Sequence, residues 1–277
     1  MKIGLHVSAA GGVQNAPENA HARGAEVFQF FDRSPRGGKP TVTPESIKQF
    51  KANCAKFGFR EYYTHGPYYI NLASSDNRIR YGSISVIREE LELGSLLGVK
   101  YLMFHLGSAK DVGDKQALNM CIEGLDKIMA GYKGSTELLL EISAGAGQII
   151  GDTFEEMAYI LKKTKNKRIG ICFDTCHAFV SGYDLRTKAA ITKTFNKFES
   201  IIGLEKLKLF HINDSMTDFA SHRDRHDNIG SGKIGKLGFQ SFVNHPKIKN
   251  VNAVLETPDV DEKVCKSLEV LKKFRDK

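Results

Sequence analysis

The stretch Ile169-Gly170-Ile171-Cys172-Phe173-Asp174-Thr175-Cys176-His177 carries a short apolar run of strand-forming residues up to a carboxylate, with a histidine three residues later. Strands covered by helices on both faces are apolar throughout. An Asp that closes such a strand is costly to bury unless its charge is paired. A divalent metal ion is the simplest partner, because Asp and neutral His are both zinc ligands. The pattern returns in Leu207-Lys208-Leu209-Phe210-His211-Ile212-Asn213-Asp214, with Asp224-Arg225-His226 a short way beyond. Metal-assisted chemistry is the first expectation these residues raise.

The elements that must position them follow from the hydrophobic pattern. Strands are predicted at Lys2–Val7, Glu26–Phe31, Glu61–Thr64, Tyr101–His105, Glu137–Glu141, Ile169–Asp174, Leu207–Asn213 and Asn252–Glu256. Helical patterns separate them. Leu118, Ile122, Leu125 and Met129 line one helix face. Thr43-Pro44 reads as an N-cap with Pro at the first helical position. Thr153 and Glu156 have capping-box spacing. Gly98 stands where a C-cap would, and Val264, Leu268 and Leu271 mark a closing helix. Eight strands alternating with helices predict one α/β domain over residues 1–277, a parallel (β/α)8 TIM barrel, rather than an open sheet. The irregular stretches are predicted at Arg33–Thr41, Asn71–Ser83 and Ser215–Leu237.

In a barrel the C-terminal strand ends converge on one mouth, where catalytic residues sit. Strands three to eight finish at or beside His65, His105, Glu141, Asp174, His211 and Glu256. Asp and Glu number 32 and His 9 among 277 residues, so six consecutive ends of these types exceed what composition supplies. Such a bowl is either a metal cluster or a mass of unpaired charge, and the cluster is the reading adopted.

Composition sets the frame. With 41% hydrophobic and 26% charged residues the chain is an ordinary globular one. No apolar run approaches the ~20 residues of a membrane span. Nor does Met1-Lys2-Ile3-Gly4-Leu5-His6 open a secretory signal, so a cytoplasmic protein is expected. Five cysteines without a Cys-x-x-Cys pair argue against a disulfide framework. The net charge of +8 favours a polyanionic partner.

The chain also resembles a known family, the endonuclease IV group of apurinic/apyrimidinic (AP) DNA repair enzymes. The matching segments are His6-Val7-Ser8-Ala9-Ala10-Gly11-Gly12, Ser34-Pro35-Arg36, His65-Gly66-Pro67-Tyr68, Ile70-Asn71-Leu72, His105-Leu106-Gly107-Ser108, and Glu141 with Ala144-Gly145. They continue with Asp174-Thr175-Cys176-His177-Ala178-Phe179, Gly182-Tyr183-Asp184, His211-Ile212-Asn213-Asp214-Ser215, Asp224-Arg225-His226, Asn228-Ile229-Gly230 and Leu255-Glu256-Thr257-Pro258. The resemblance implies an α/β barrel with three zinc ions. His65, His105 and Glu141 would hold the first. Glu141 would bridge to a second, completed by Asp174, His211 and Glu256, which makes Glu141 the catalytic residue to watch. His177, Asp224 and His226 would hold the third. The implied reaction is hydrolysis of the phosphodiester 5′ to an abasic site, leaving a 3′-hydroxyl and a 5′-deoxyribose phosphate. The implied partner is duplex DNA carrying abasic sites or 3′-blocking lesions, met by a monomer. Arg36, Tyr68 and Tyr69 would contact the DNA, with Arg36 and Tyr68 inserted at the lesion to offset lost stacking. Departures from the family pattern fall at Ile142, Ala146, Gly38 and Tyr69, and none is an implied ligand.

Other readings were weighed. A sugar isomerase or epimerase of the same barrel class also places His, Glu and Asp around one or two metals, but it has no need of Asp224-Arg225-His226. A DNA-binding module without catalysis would not be expected to keep nine ligands. Gly230-Ser231-Gly232-Lys233 lacks P-loop spacing and is left as a possible source of amides for a DNA phosphate. His6 is left outside the metal sites; His21, His222 and His245 are expected to be surface or structural.

Overall fold

The computed structural model describes residues 1–38, 40–262 and 265–275. Its strands are β1 (Ile3–His6), β2 (Phe28–Phe30), β3 (Tyr62–His65), β4 (Tyr101–Phe104), β5 (Glu137–Glu141), β6 (Ile169–Asp174) and β7 (Leu207–His211), then the short pair β8 (Asp214–Ser215) and β9 (His226–Asp227), and last β10 (Asn252–Leu255). All but β8 and β9 form a closed barrel of parallel strands in which β10 returns to pair with β1, Ile3 opposite Ala253 and Leu5 opposite Leu255. The TIM barrel expected from the alternation is therefore the fold. Each predicted strand is present, its ends moved by two residues at most.

The helices are α1 (Ala16–Ala22), α2 (Pro44–Lys56), α3 (Asn77–Leu97), α4 (Asp114–Met129), α5 (Phe154–Lys163), α6 (Thr175–Val180), α7 (Lys188–Ile201), α8 (Gly235–Val243) and α9 (Lys266–Arg275). Their ends are set by local chemistry. At α2 the Thr43 side chain accepts from the Ser46 amide while the Ser46 hydroxyl accepts from the Thr43 amide, a complete capping box. At α5 Thr153 accepts from the Glu156 amide, but the Glu156 carboxylate turns to the Gly151 amide at 2.8 Å, so only half the expected box forms. Gly98 ends α3 at φ 83°, a conformation that favours glycine. On α4 the deepest side chains are Ala117, Cys121, Leu125 and Ile128, whereas Leu118 and Ile122 are only partly buried. Val264, expected on the closing helix, lies outside the described residues. The expected irregular stretch Asn71–Ser83 is helical from Asn77, because the Asp76 side chain accepts from the Arg78 amide at 2.7 Å and starts α3 early. The stretch Ser215–Leu237 holds β9 and the first turn of α8.

Two apolar layers support the barrel. Outward residues such as Leu138, Leu140, Ile171, Phe173 and Phe210 pack against the helices. Inside lies a separate plug of Val27, Tyr63, Tyr101, Met103, Leu139, Cys172, Leu209 and Val254. Side chains alternate faces along a strand. The residue two positions after each plug residue therefore points into the barrel one layer higher. From Tyr63, Met103, Leu139, Cys172, Leu209 and Val254 that step reaches His65, His105, Glu141, Asp174, His211 and Glu256. The period-two register of the strands delivers those six residues to one mouth.

Candidate metal centre

The six strand-end residues meet above the plug, joined by His177 from α6, Asp224 from the β8–β9 connection and His226 from β9. Glu141 sits at the centre, fully buried. Its Oε2 is 3.1 Å from His65 Nε2 and 3.6 Å from His105 Nε2. Its Oε1 is 2.8 Å from His211 Nδ1, which also lies 3.3 Å from Glu256 Oε2. On the far side His177 Nε2 faces Asp224 Oδ2 at 3.2 Å and His226 Nε2 at 3.4 Å. His226 Nε2 in turn lies 3.4 Å from Asp224 Oδ1 and 3.7 Å from Asp174 Oδ2. Donor atoms converge to within 4.8 Å of one another in the groups His65–Glu141–His211, Glu141–Asp174–His211–Glu256 and Asp174–His177–His226. All nine residues singled out in the sequence lie at the mouth, with Asp174 shared between the second and third groups; Asp224 groups with Cys176 and His226, and His105 joins none of the groups but stands 3.6 Å from Glu141.

The orientation of the histidines is informative. His65 Nδ1 donates to the Gly66 carbonyl at 2.6 Å, and His177 Nδ1 to the Ile142 carbonyl at 2.9 Å. His226 Nδ1 reaches the Glu256 carbonyl at 3.3 Å. A carbonyl oxygen only accepts, so each of those nitrogens carries the proton. The opposite nitrogen, Nε2, is turned toward carboxylates and a neighbouring imidazole. In that setting each Nε2 needs positive charge beside the carboxylates, supplied by a second proton or by a metal ion. Histidines held by one nitrogen and free at the other are characteristic of metal sites.

The electrostatics agree. Four carboxylates (Glu141, Asp174, Asp224 and Glu256) share one bowl. Burial alone would raise the Glu141 carboxyl, but His211, His105 and His65 hold it well below the usual range. Glu256 is held low in the same way, chiefly by His211 and His6, and Asp224 falls to about 2 beside His177 and His226. Burial would lower His177, yet Asp174, Asp224 and Glu141 outweigh it and push it up to about 10. His211 is likewise raised against its burial, by Cys172, Glu141 and Glu256. The bowl demands positive charge, and its donors are of the types that bind divalent ions.

Two fully buried polar residues that the sequence reading did not place in the site hold its ligands. Asn213 donates to Asp174 Oδ2 at 2.6 Å and accepts from the Glu256 amide at 2.8 Å. Gln29 donates to Glu256 Oε1 at 2.7 Å and accepts from His211 Nε2 at 2.8 Å. The signal that could have found Gln29 is its place two residues after Val27, on the inner face of β2. His6 also belongs to this edge, its Nδ1 3.7 Å from Glu256 Oε1.

The mouth opens into a cleft of about 960 Å³ whose wall includes Ser8, Phe31, Arg33, Tyr68 and Arg225. Tyr68 is 70% exposed and rests edge-on against Phe31. Arg36 is exposed on the loop after β2, and Tyr69, 41% exposed, stands next to Tyr68. One expectation fails here. The Gly230–Lys233 amides are not free for a phosphate, because Gly230 and Gly232 donate to Asp214 at 2.9 and 3.1 Å, Ser231 to the Asn228 carbonyl and Lys233 to the Ser215 carbonyl. The loop wraps a carboxylate of the protein itself.

Residues 17–274 match the family described as "Xylose isomerase-like TIM barrel". The chain is 38% identical over 260 residues to a probable endonuclease 4 of Halothermothrix orenii, covering 93% of this chain and 94% of that one. The solved endonuclease IV of Thermus thermophilus superimposes with a TM-score of 0.89 at 32% identity, over 100% of this chain and 99% of that one. The chain belongs to the endonuclease IV family. A D-tagatose 3-epimerase-like protein shares the fold at 20% identity and a TM-score of 0.75, over 100% and 97% of the two chains. That likeness concerns the barrel alone. For an endonuclease IV family chain the departure at Ile142 is harmless to His177, since the contact is to the backbone carbonyl. Gly38 has φ 103°, a conformation in which a residue with a side chain would be strained. Among the described residues no helix is long and apolar enough to cross a membrane.

Proposed function

We propose that this protein is a zinc-dependent AP endonuclease that hydrolyses the phosphodiester 5′ to an abasic site in duplex DNA. The products are a 3′-hydroxyl and a 5′-deoxyribose phosphate. The observation that carries the proposal is the convergence of five histidines and four carboxylates on one open mouth, in a chain of the endonuclease IV family. His65, His105 and Glu141 fit a first zinc ion. Glu141, Asp174, His211 and Glu256 fit a second, and His177, Asp224 and His226 a third. Zinc held there supplies a water activated near neutral pH and positive charge against a phosphate.

The chain's own residues do the rest. Glu141 reaches both of the first two groups with its two oxygens and sets their separation. The carbonyls of Gly66, Ile142 and Glu256 orient three of the imidazoles. Tyr68 lines the cleft and Arg36 is exposed on the loop after β2; the two would fill the gap left by a flipped nucleotide and offset lost stacking. Tyr69 adds contact area beside them, and the net charge of +8 favours the polyanion. The three-group arrangement also favours this reading over an isomerase, which has no use for the His177–Asp224–His226 set. We further take residues 1–277 as one domain, acting as a monomer in the cytoplasm on abasic or 3′-blocked DNA.

Elemental analysis of protein purified without chelator tests the metal content. Close to three ions per chain, mainly zinc, is expected. One ion or none would remove the mechanism proposed here.

A further inference from the structure

We propose that Gln29 is a positioning residue for the second ion site, fixing His211 and Glu256 relative to one another through its carboxamide. The proposal rests on the metal reading above. Gln29 lies on the inner face of β2 with no exposed surface. Its amide nitrogen is 2.7 Å from Glu256 Oε1 and 2.9 Å from His6 Nδ1, and its oxygen is 2.8 Å from His211 Nε2.

Those three contacts leave no freedom in the orientation of the amide. A carboxylate is acceptor-only, so the Gln29 nitrogen must face Glu256; turned over, the carboxamide would set two oxygens 2.7 Å apart. The Gln29 oxygen is then the atom that meets His211 Nε2, and that nitrogen must carry the hydrogen. In the neutral ring that a metal ion would bind, His211 Nδ1 then carries the lone pair, directed at the space between Glu141 Oε1 and Glu256 Oε2, 2.8 and 3.3 Å away. The second amide hydrogen of Gln29 points to His6 Nδ1, which places the His6 ring proton on Nε2. One side chain therefore determines which nitrogen of His211 can bind and where one oxygen of Glu256 is tied.

A packing role alone does not account for this residue. A fully buried carboxamide is costly unless satisfied, and the partners that satisfy it are two expected ligands of one ion and the histidine beside them. His65, His177 and His226 are oriented by backbone carbonyls, which no substitution removes. His211 is oriented by a side chain, so its support can be tested separately.

The test uses the full chain with Gln29→Met, which keeps length and volume but makes none of the three hydrogen bonds. Zinc-loaded parent and variant are titrated with a graded series of chelators, counting the ions released at each strength. The same proteins loaded with cobalt(II) are compared by visible absorption. In the variant one ion is expected to bind about 10–100-fold more weakly, the usual effect of removing such a support. The other ions should stay at parental affinity, and the cobalt spectrum should change. Parental affinity for every ion with a parental cobalt spectrum would overturn the proposal. So would equal weakening of all ions in a variant that stays folded, because a residue specific to the second site would not move the others. Gln29→Leu serves in the same assays should the Met variant not fold. A parent that binds no divalent ion at all would instead sink the metal reading, a failure visible without any substitution.

Discussion

At the scale of single residues, Glu141 makes the sharpest demand. Its two oxygens face different histidines, His65 with His105 on one side and His211 on the other. Glu141→Gln keeps the shape but removes a charge from a bowl that needs it. The variant is expected to bind abasic duplex nearly as well as the parent and to cleave it at least ~100-fold more slowly, about 2.7 kcal/mol of transition-state stabilisation. Single-turnover cleavage beside a binding titration separates the two effects, and parental cleavage would contradict the bridging role. Arg36→Ala and Tyr68→Ala should do the reverse, weakening DNA binding while metal content stays parental. Binding measured against salt, with elemental analysis alongside, checks this. Six of the nine clustered residues were legible in the sequence because a charge or a histidine at the end of an apolar strand is conspicuous, whereas His177, Asp224 and His226 were grouped by the family resemblance. Gln29 and Asn213 were not, because a neutral amide in a strand looks like ordinary polarity until its partners are seen.

At the scale of elements, the strands were the easiest to read and the connections the hardest. Periodicity reports burial, and the barrel strands are buried on both faces. Asn71–Ser83 was misjudged because the cap formed by Asp76 outweighs the local polarity. The Gly230–Lys233 loop was misjudged because its partner, Asp214, is distant in sequence. Asp214 accepts from the amides of Ser215, Gly230, Gly232, Ile234 and Gly235. It thereby pins the loop that follows β9, and β9 carries His226. Asp214→Ala would strand several of these amides, each costing about 1–3 kcal/mol when buried and unpaired. The expected outcome is a loss of about 3 kcal/mol or more in denaturant unfolding, with faster amide exchange over residues 226–235. Exchange unchanged there would contradict the anchoring role.

At the scale of the whole molecule, the barrel contains a second buried charge cluster, at the edge of the same cleft. Asp32, after β2, and Glu90, on α3, meet each other beside Arg33, whose Nε is 2.7 Å from Glu90 Oε1 without hydrogen-bond alignment. Arg33 also reaches Glu89 at 3.1 Å. Burial pushes the Asp32 carboxyl up despite Arg33, and burial together with Asp32 pushes Glu90 up. A carboxyl whose pKa is higher in the folded state retains a proton that the unfolded chain releases above about pH 4. Its contribution to stability is full below that pH and is lost as pH rises through the raised value. Each unit of the rise is worth about 1.4 kcal/mol. Asp32→Asn needs no such proton, so its unfolding free energy should fall less than the parent's between pH 4 and neutrality. Parallel curves would contradict the shared-proton account. The metal ligands are the same in both proteins, so the difference between the curves isolates the pair.

The central claim is that the clustered residues hold metal used to cut DNA on the 5′ side of a lost base. It is tested most directly with a duplex bearing one tetrahydrofuran abasic analogue, incubated with zinc-loaded protein with and without chelator, and mapped at nucleotide resolution. That analogue lacks the aldehyde needed for β-elimination, so only hydrolysis can cut beside it. The expected result is one nick immediately 5′ to the analogue, ending in a 3′-hydroxyl that a polymerase extends, and abolished by the chelator. An intact strand, a nick on the 3′ side, or a 5′ nick that survives removal of the metal would contradict the account.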